Sequence, residues 1–163
     1  MRTATFSCSG VKRASVRAAQ APSATTVART TIAASHIARW DTDTETWHAL
    51  GAGVNGDVWD LLPDGNALYV GGNFTSAGAV EAFDLARWDG AAWEKLGAGA
   101  VLQPGGIAYA LLLDGDMLWV GGDFQTIQVT GQTGHVNSLV AWNRATDTWF
   151  GTDGGVTRST GSS

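Results

Sequence analysis

Tryptophan is the residue type in this chain that offers the clearest binding chemistry. Six of the eight tryptophans form three pairs at related positions: Trp40 and Trp47, Trp88 and Trp93, and Trp142 and Trp149. An indole face packs well against the apolar side of a sugar ring. Because the pairs recur in register, packing between repeated units is the favoured interpretation. The non-repeated Trp59 and the loop 124–138 are better candidates for an exposed binding surface.

Two Gly-Gly pairs, Gly71–Gly72 and Gly121–Gly122, invite comparison with a phosphate-binding loop. Neither pair is followed by Gly-Lys-Ser/Thr or by a helix signature, which that loop requires. Glycine also lets a backbone turn tightly or approach another strand closely. We therefore predict that these four glycines are structural.

The segment 41–45 reads Asp-Thr-Asp-Thr-Glu and has the alternating oxygens with which a calcium-binding loop begins. It lacks the central glycine and the distal glutamate of that motif, so a solvated hairpin turn is favoured. The histidines, His36, His48 and His135, have no partner at metal-ligand spacing and no nucleophile motif nearby. No catalytic, metal-binding or cofactor-binding residue is predicted, and we expect the protein not to be an enzyme.

Asn73 begins the sequon Asn-Phe-Thr, which accepts a glycan only in a chain that enters the secretory pathway. In the repeat described below Asn73 aligns with Asp123, so a turn-capping role explains it equally well. Asn73 is retained with Trp59 as a possible binding position, and its glycosylation stays open.

Charge is distributed unevenly along the chain. Residues 1–36 contain five basic and no acidic residues, whereas the remainder contains five basic and all fifteen acidic residues. An acidic body lacks the basic footprint that nucleic acid requires, so nucleic acid is not an expected partner. The longest apolar runs are too short for a membrane span. The single cysteine, Cys8, excludes an internal disulfide.

The first 35 residues are rich in Ala, Ser, Thr and Arg and show no sustained apolar periodicity. We expect a disordered basic leader whose composition resembles an organellar transit peptide, so an organelle is favoured over an extracellular or cell-surface location. An arbitrary disordered tail remains the alternative. Residues 156–163 are expected to be a flexible tail.

An internal repeat organises the rest of the chain. Residues 58–75 align without a gap on residues 108–125, and nine of the eighteen positions are identical. A repeat of about fifty residues indicates stacked or radially arranged units. The Asp-Gly dipeptides at 64–65 and 114–115 lie between short apolar runs and predict tight hairpin turns. The pattern predicts strands at 36–41, 46–50, 58–62, 67–72, 84–89, 92–96, 107–113, 117–122, 138–143 and 147–150.

The Gly-Gly that closes a strand, the aromatic residue after it and the paired tryptophans resemble the kelch repeats of galactose-oxidase-like β-propellers. The fuller pattern, Leu-aromatic-Val-Gly-Gly-Asx-Phe followed by Ala-Arg-Trp-Asp, is closest to the repeats of fungal cortical polarity-marker proteins. The resemblance covers residues 36–155. It implies four-stranded blades, and it implies little about activity because propellers carry many unrelated functions.

We therefore expect an all-β chain: a partial β-propeller of about two and a half four-stranded blades, preceded by a disordered N-terminal segment. The repeat region 36–155 divides into a half blade at 36–51 and blades at 58–97 and 107–151. A propeller ring needs at least four blades. The expected partners are accordingly a protein or further propeller blades, with a homo-oligomer as one way to supply them.

The favoured hypothesis for function is a non-enzymatic propeller-repeat protein that acts as a binding or scaffold surface, as part of a larger propeller. The alternative is a lectin-like carbohydrate-binding protein whose ring is completed by oligomerisation. A remnant of a galactose-oxidase-like enzyme is disfavoured, since no copper-ligand set of Tyr, His and Cys can be located. No cofactor is expected.

Overall fold

The computed structural model describes residues 3–8, 11–18, 34–41, 43–44, 46–97, 99–103, 105–129 and 132–151. Within these ranges the regular structure consists of β-strands, with no helix and no sheet that closes on itself. The chain is therefore all-β, as the sequence predicts. The expected flexible tail 156–163 lies outside the described residues.

The first sheet has four antiparallel strands in chain order: β1 (Thr3–Cys8), β2 (Val11–Ala18), β3 (Ile37–Asp41) and β4 (Thr46–Ala49). β2 pairs along the whole of β3, from Ala14 opposite Asp41 to Ala18 opposite Ile37. Within the leader expected to be disordered at 1–35, residues 3–8 and 11–18 form strands, and these complete a four-stranded sheet with the expected half blade at 36–51; residues 19–33 of that leader lie outside the described residues. The pairing satisfies backbone groups along the edge of β3, which a two-stranded unit would leave open.

The second sheet contains β5 (Asp57–Asp64), β6 (Ala67–Asn73), β9 (Leu85–Trp88) and β10 (Trp93–Lys95), again antiparallel and in chain order. A small hairpin of β7 (Ser76–Ala77) and β8 (Val80–Glu81) lies between β6 and β9. Gly65 follows β5 with a φ of 58°, which supports the turn predicted from Asp64-Gly65.

The third sheet repeats this order with β12 (Ile107–Asp114), β13 (Met117–Asp123), β16 (Leu139–Asn143) and β17 (Thr148–Gly151). A separate three-stranded sheet consists of β11 (Val101–Gln103), β14 (Thr126–Val129) and β15 (Gln132–His135). The segment 124–138, expected as an exposed loop, thus contains a hairpin. Ile127, Val129 and Val136 bury in the core because alternate residues of the hairpin face inward.

Two apolar layers separate the three four-stranded sheets. Ile37, Leu50, Leu68, Val70 and Trp93 pack between the first and second sheets. The layer between the second and third sheets contains, among others, Tyr69, Leu85, Leu96, Leu118, Val120 and Trp149. Strand β6 supplies Leu68 and Val70 to one layer and Tyr69 to the other, as expected for side chains that alternate across a strand. The sheets therefore pack face to face.

The residue before the third strand of each four-stranded sheet has a left-handed backbone. These residues are His36, Asp84 and Ser138, with φ of 62°, 62° and 60°. The amide of Gly72 donates to the carbonyl of Asp84, and that of Gly122 donates to the carbonyl of Ser138. The repeat therefore extends to the backbone conformation at a position where the three residue types differ.

Candidate functional site

The tryptophan pairs lie directly opposite one another on the third and fourth strands of each sheet. Their ring centroids are 5.2 Å apart for Trp40–Trp47, 5.3 Å for Trp88–Trp93 and 6.0 Å for Trp142–Trp149. Trp93 and Trp149 are buried, and their Nε1 atoms donate to the carbonyl oxygens of Leu50 at 2.8 Å and Gly97 at 3.2 Å in the preceding sheet. These two indoles pack between sheets and present no face to a ligand.

The four repeated glycines have three distinct surroundings. A Cβ on Gly72 would overlap the carbonyl oxygen of Asp57, and one on Gly122 would overlap that of Ile107, so both permit a close approach within a sheet. A Cβ on Gly71 would lie 3.2 Å from Ala108 in the third sheet. At Gly121 the nearest atom would be the carbonyl oxygen of Ser138, at 3.9 Å.

Trp59 belongs to an exposed aromatic pair. Its ring lies 5.6 Å from that of Tyr109 in an edge-to-face arrangement, and the two side chains are 47% and 42% exposed. Trp59 lies on β5 and Tyr109 on β12, so the pair bridges the first strands of the second and third sheets. We refer to Trp59 and Tyr109 as the aromatic pair.

Each member of the aromatic pair is the extra residue of a β-bulge. The register of β5 on β6 skips Trp59, and that of β12 on β13 skips Tyr109. A bulge redirects the extra side chain away from the alternation of its strand, which explains how an aromatic residue reaches solvent here. The carboxylate of Asp60 accepts the amide of Leu111 at 2.8 Å and holds the two strands together beside the pair.

Asn73 ends β6 and is exposed. The loop after it is held by Asn55, whose Oδ1 accepts the amides of Thr75 at 2.8 Å and Ser76 at 2.9 Å. Asn55 Nδ2 also donates to the hydroxyl of Thr75 at 2.8 Å. The third residue of the sequon is thus engaged in holding the loop, while Asn73 itself lies opposite Asp57, two residues before Trp59 on β5.

A polar cleft of about 420 Å³ lies between the second and third sheets, at the opposite end of β5 from the aromatic pair. Its lining residues are Asp64, Tyr69, Arg87, Glu94, Lys95, Leu96, Gly97, Trp142, Arg144 and Asp147. Arg144 pairs with Asp64 across the two sheets, and its Nε lies 3.2 Å from Asp116 Oδ1. Arg87 pairs with Glu94 at 2.7 Å, and Trp142 Nε1 donates to Asp147 at 2.9 Å.

The two arginines of the cleft are held in their charged form. A hydrogen bond with Tyr69 raises the pKa of Arg144, and Asp116 and Asp64 act in the same direction against the effect of burial. Burial lowers the pKa of Arg87, but Glu94 and Tyr69 outweigh it and the net pKa is raised. The cleft therefore presents fixed charges of both signs, which suits a polar ligand.

Within the acidic run 41–45, Asp43 and Thr44 lie in the turn between β3 and β4, and residues 42 and 45 lie outside the described residues. Asp41 Oδ1 accepts the amides of Asp43 at 2.9 Å and Thr44 at 3.1 Å, and the Thr44 bond followed by the Asp43 bond lowers the pKa of Asp41. Asp89 and Asn143 make the same pair of bonds in the second and third sheets. This arrangement is an Asx turn, and it recurs in all three four-stranded sheets. In the acidic run, Oδ1 of Asp41 therefore already accepts two backbone amides.

Asp84 is the buried carboxyl group of the second sheet, with 6% of its surface exposed. Burial raises the pKa of Asp84 to about 7, and a backbone hydrogen bond with Phe74 opposes that shift. Since the folded chain holds this proton more tightly than the unfolded chain, the contribution of Asp84 to stability is present below about pH 4 and is lost as the pH rises to about 7.

We therefore predict that Asp84→Asn removes this loss. Asparagine has nearly the same shape and tolerates the left-handed φ of 62°. Urea denaturation of both proteins across the pH range should show the variant as the more stable one above pH 7, with a flatter profile between about pH 4 and pH 7. Asp114→Asn, at an exposed carboxyl, is the matched control. Identical pH profiles for Asp84→Asn and the parent chain would contradict the prediction.

The described ranges contain neither a cluster of metal-ligating side chains nor a membrane-spanning helix. In that part of the chain, no three or more His, Cys, Asp or Glu side chains are grouped so that they could hold a metal ion. None of the described segments forms a helix of the length and apolarity needed to cross a membrane. Comparisons with family models, curated proteins and solved structures found no match to this chain.

The sequence-predicted residues thus fall into separate places. The buried tryptophans lie between sheets, Gly72 and Gly122 lie within sheets, and Trp59 is exposed. Sequence reasoning aligned Tyr109 with Trp59 but did not bring the two into contact. It missed the cleft entirely, because Arg144 and Asp64 are 80 residues apart and the motif at Asp64 predicts only a hairpin turn.

Proposed function

We propose that the protein is a non-enzymatic β-propeller repeat protein in which each four-stranded sheet is a blade, and that it serves as a binding surface for a protein partner. The assignment of blades is supported by three features that the sheets share: the strand order, the Asx turn, and a left-handed backbone at the residue before the third strand. The first strands of the second and third sheets lie in contact, as radially arranged blades require.

The observation that carries the binding proposal is the aromatic pair. Trp and Tyr are enriched among the residues that contribute most to protein–protein affinity, because a rigid ring buries a large area at small entropic cost. Here both rings are nearly half exposed, and their centroids are 5.6 Å apart. A β-bulge places each ring, in β5 for Trp59 and in β12 for Tyr109. The pair is therefore a rigid and solvent-accessible anchor.

The proposal predicts that truncating the aromatic pair abolishes partner binding. The experiment compares the proteins captured by the immobilised wild-type chain with those captured by the double variant Trp59→Ala/Tyr109→Ala. Each protein whose capture depends on the aromatic pair is then titrated against the purified wild-type chain and the purified double variant. We expect the dissociation constant to rise at least about 30-fold, which corresponds to the loss of a binding hot spot.

Ala91→Asp is the control, because Ala91 is exposed in the turn between β9 and β10 and lies outside both the aromatic pair and the polar cleft. It should retain the partners that the double variant loses. Partners that bind both variants equally, or no partner at all, would refute the proposal.

The polar cleft supports a carbohydrate ligand as the second candidate. It combines Trp142 and Tyr69 with carboxylates and arginines, the residue types that hold sugar hydroxyls. Binding of the wild-type chain to a saccharide array, retained by Trp59→Ala/Tyr109→Ala and lost by Glu94→Ala, would assign the function to the cleft instead of the aromatic pair.

A further inference from the structure

The outer face of the third sheet exposes apolar residues that the repeat buries elsewhere. Leu112, Leu139 and Phe150 are 61%, 38% and 40% exposed, and all three lie on the face that points away from the second sheet. We call this surface the trailing face. In the second sheet the corresponding face packs against the third sheet and contributes to the core.

The first residue of the third strand shows what covers a trailing face. Ile37 is 1% exposed beneath the second sheet, Leu85 is 3% exposed beneath the third sheet, and Leu139 is 38% exposed with no sheet of the described residues beyond it. Leu62 and Leu112 occupy another equivalent pair, and Leu62 is packed against the core while Leu112 is the most exposed large hydrophobic residue described. The covering element in each internal case is a four-stranded sheet.

The surroundings of Gly71 and Gly121 differ in the same way as those of Leu62 and Leu112. Ala108 of the third sheet approaches Gly71 so closely that a Cβ would lie 3.2 Å from it, whereas the corresponding space at Gly121 is open to 3.9 Å. The glycine at 71 is explained by its neighbour. A further sheet that approaches Gly121 in the same way gives the glycine at 121 the same explanation.

The first sheet has the complementary surface. Trp93 and Trp149, on the fourth strands of the second and third sheets, are 6% and 0% exposed because each is inserted against the preceding sheet. Trp47 holds the equivalent position in the first sheet and is only half-buried. We call the surface formed by Trp40 and Trp47 the leading face. Among the segments that the structure describes, no sheet covers it in the way that its two equivalents are covered.

The trailing face is also less charged than its internal equivalent. Across the second sheet, Tyr69 lies opposite Arg87, and Arg87 opposite Glu94; the same row of the third sheet reads Trp119, Ala141 and Phe150. The charges that line the polar cleft are thus replaced by apolar groups. Depletion of charge is typical of the buried centre of an interface between protein chains.

We infer that the trailing face of one copy of this chain binds the leading face of a second copy, and that two copies close a six-bladed ring. The inference rests on the proposed identification of the sheets as blades. Propellers contain about four to eight blades, so among multiples of three blades only two copies fall within that range. Each copy would use both faces, which makes two identical head-to-tail contacts in a closed dimer.

Sedimentation velocity tests the inference. The wild-type chain should sediment as a single species of twice its 16.9 kDa mass, without larger polymers. Leu139→Asp on the trailing face and Trp47→Ala on the leading face should each raise the dimer dissociation constant at least about 30-fold. Ala91→Asp, in the exposed turn between β9 and β10, is the control and should remain dimeric. Circular dichroism shows whether each variant is folded.

Mixing the two variants tests the head-to-tail arrangement. A mixture of Leu139→Asp and Trp47→Ala retains one undamaged contact per pair of chains, so it should form a heterodimer that neither variant forms alone. A dimer made by two trailing faces would instead leave Trp47→Ala unaffected, and that result would overturn the inference.

The outcomes also separate this inference from the proposed function. A wild-type monomer that still captures a partner through the aromatic pair overturns the inference alone. A closed dimer that captures no partner leaves the inference standing and overturns the proposed function.

Discussion

Replacing Trp149 with alanine is expected to lower the free energy of unfolding by about 3–5 kcal/mol, as for other buried large-to-small substitutions. Trp149 is 0% exposed, packs in the apolar layer between the second and third sheets, and donates from Nε1 to the carbonyl oxygen of Gly97 at 3.2 Å. Truncation leaves both a cavity and an unpaired carbonyl group. A domain of this kind has only about 5–15 kcal/mol of stability, so the loss is a large fraction of the total.

Urea denaturation of Trp149→Ala, followed by far-ultraviolet circular dichroism, measures this effect. Trp59→Ala is the matched control, because it removes the same side chain from a position that is 47% exposed. It should change the free energy of unfolding by less than about 1 kcal/mol, as surface substitutions usually do. Equal losses for the two variants would contradict the assignment of Trp149 to the core.

The tryptophan pairs show how far sequence reasoning reached. Their recurrence in register correctly placed two antiparallel strands in each sheet, because a pair seven or five residues apart around a turn brings the indoles opposite each other. The same pattern could not show that Trp47 is less buried than Trp93 and Trp149. That difference depends on whether another sheet packs against the indole, and the sequence of one repeat does not show this.

The first sheet shows where the sequence signal was too weak. Apolar and polar residues do alternate in β1, at Ala4, Phe6 and Cys8, and in the second half of β2. Most of these apolar residues are small, so the alternation is a weaker signal than in the other strands. Ser9-Gly10 is a turn signal between them, but without flanking apolar runs it does not predict a hairpin. The pairing of β1 with β2 and of β2 with β3 gives the first sheet the same strand order as the other two.

The candidate site was predictable only in part. Trp59 was expected to be exposed because it stands outside the tryptophan repeat, and the structure places it at the surface. The bulge that turns Trp59 and Tyr109 outward leaves no sequence mark, because the extra residue of a bulge is defined by pairing with another strand. Asp84 was missed because an aspartate in an acidic chain gives no sign of burial.

The second large effect is expected at Gly122, where substitution by alanine should cost about 3 kcal/mol or more in the free energy of unfolding. A Cβ at this position would overlap the carbonyl oxygen of Ile107 on the paired strand β12 and would lie 2.9 Å from the ring of Phe124. A backbone oxygen and a buried ring cannot both move away, so β12 and β13 would have to separate locally.

Gly121→Ala provides the matched control one residue away, and both glycine variants are made in the Leu139→Asp background, where a second copy is not expected to approach Gly121. Within one chain its Cβ meets nothing closer than the carbonyl oxygen of Ser138 at 3.9 Å, and its φ lies outside the left-handed region, so the same substitution should cost less than about 1 kcal/mol. Thermal and urea unfolding of both variants measure the difference. If Gly122→Ala is as stable as Gly121→Ala, the two glycines share one role and the close approach of β12 to β13 is not what requires glycine at 122.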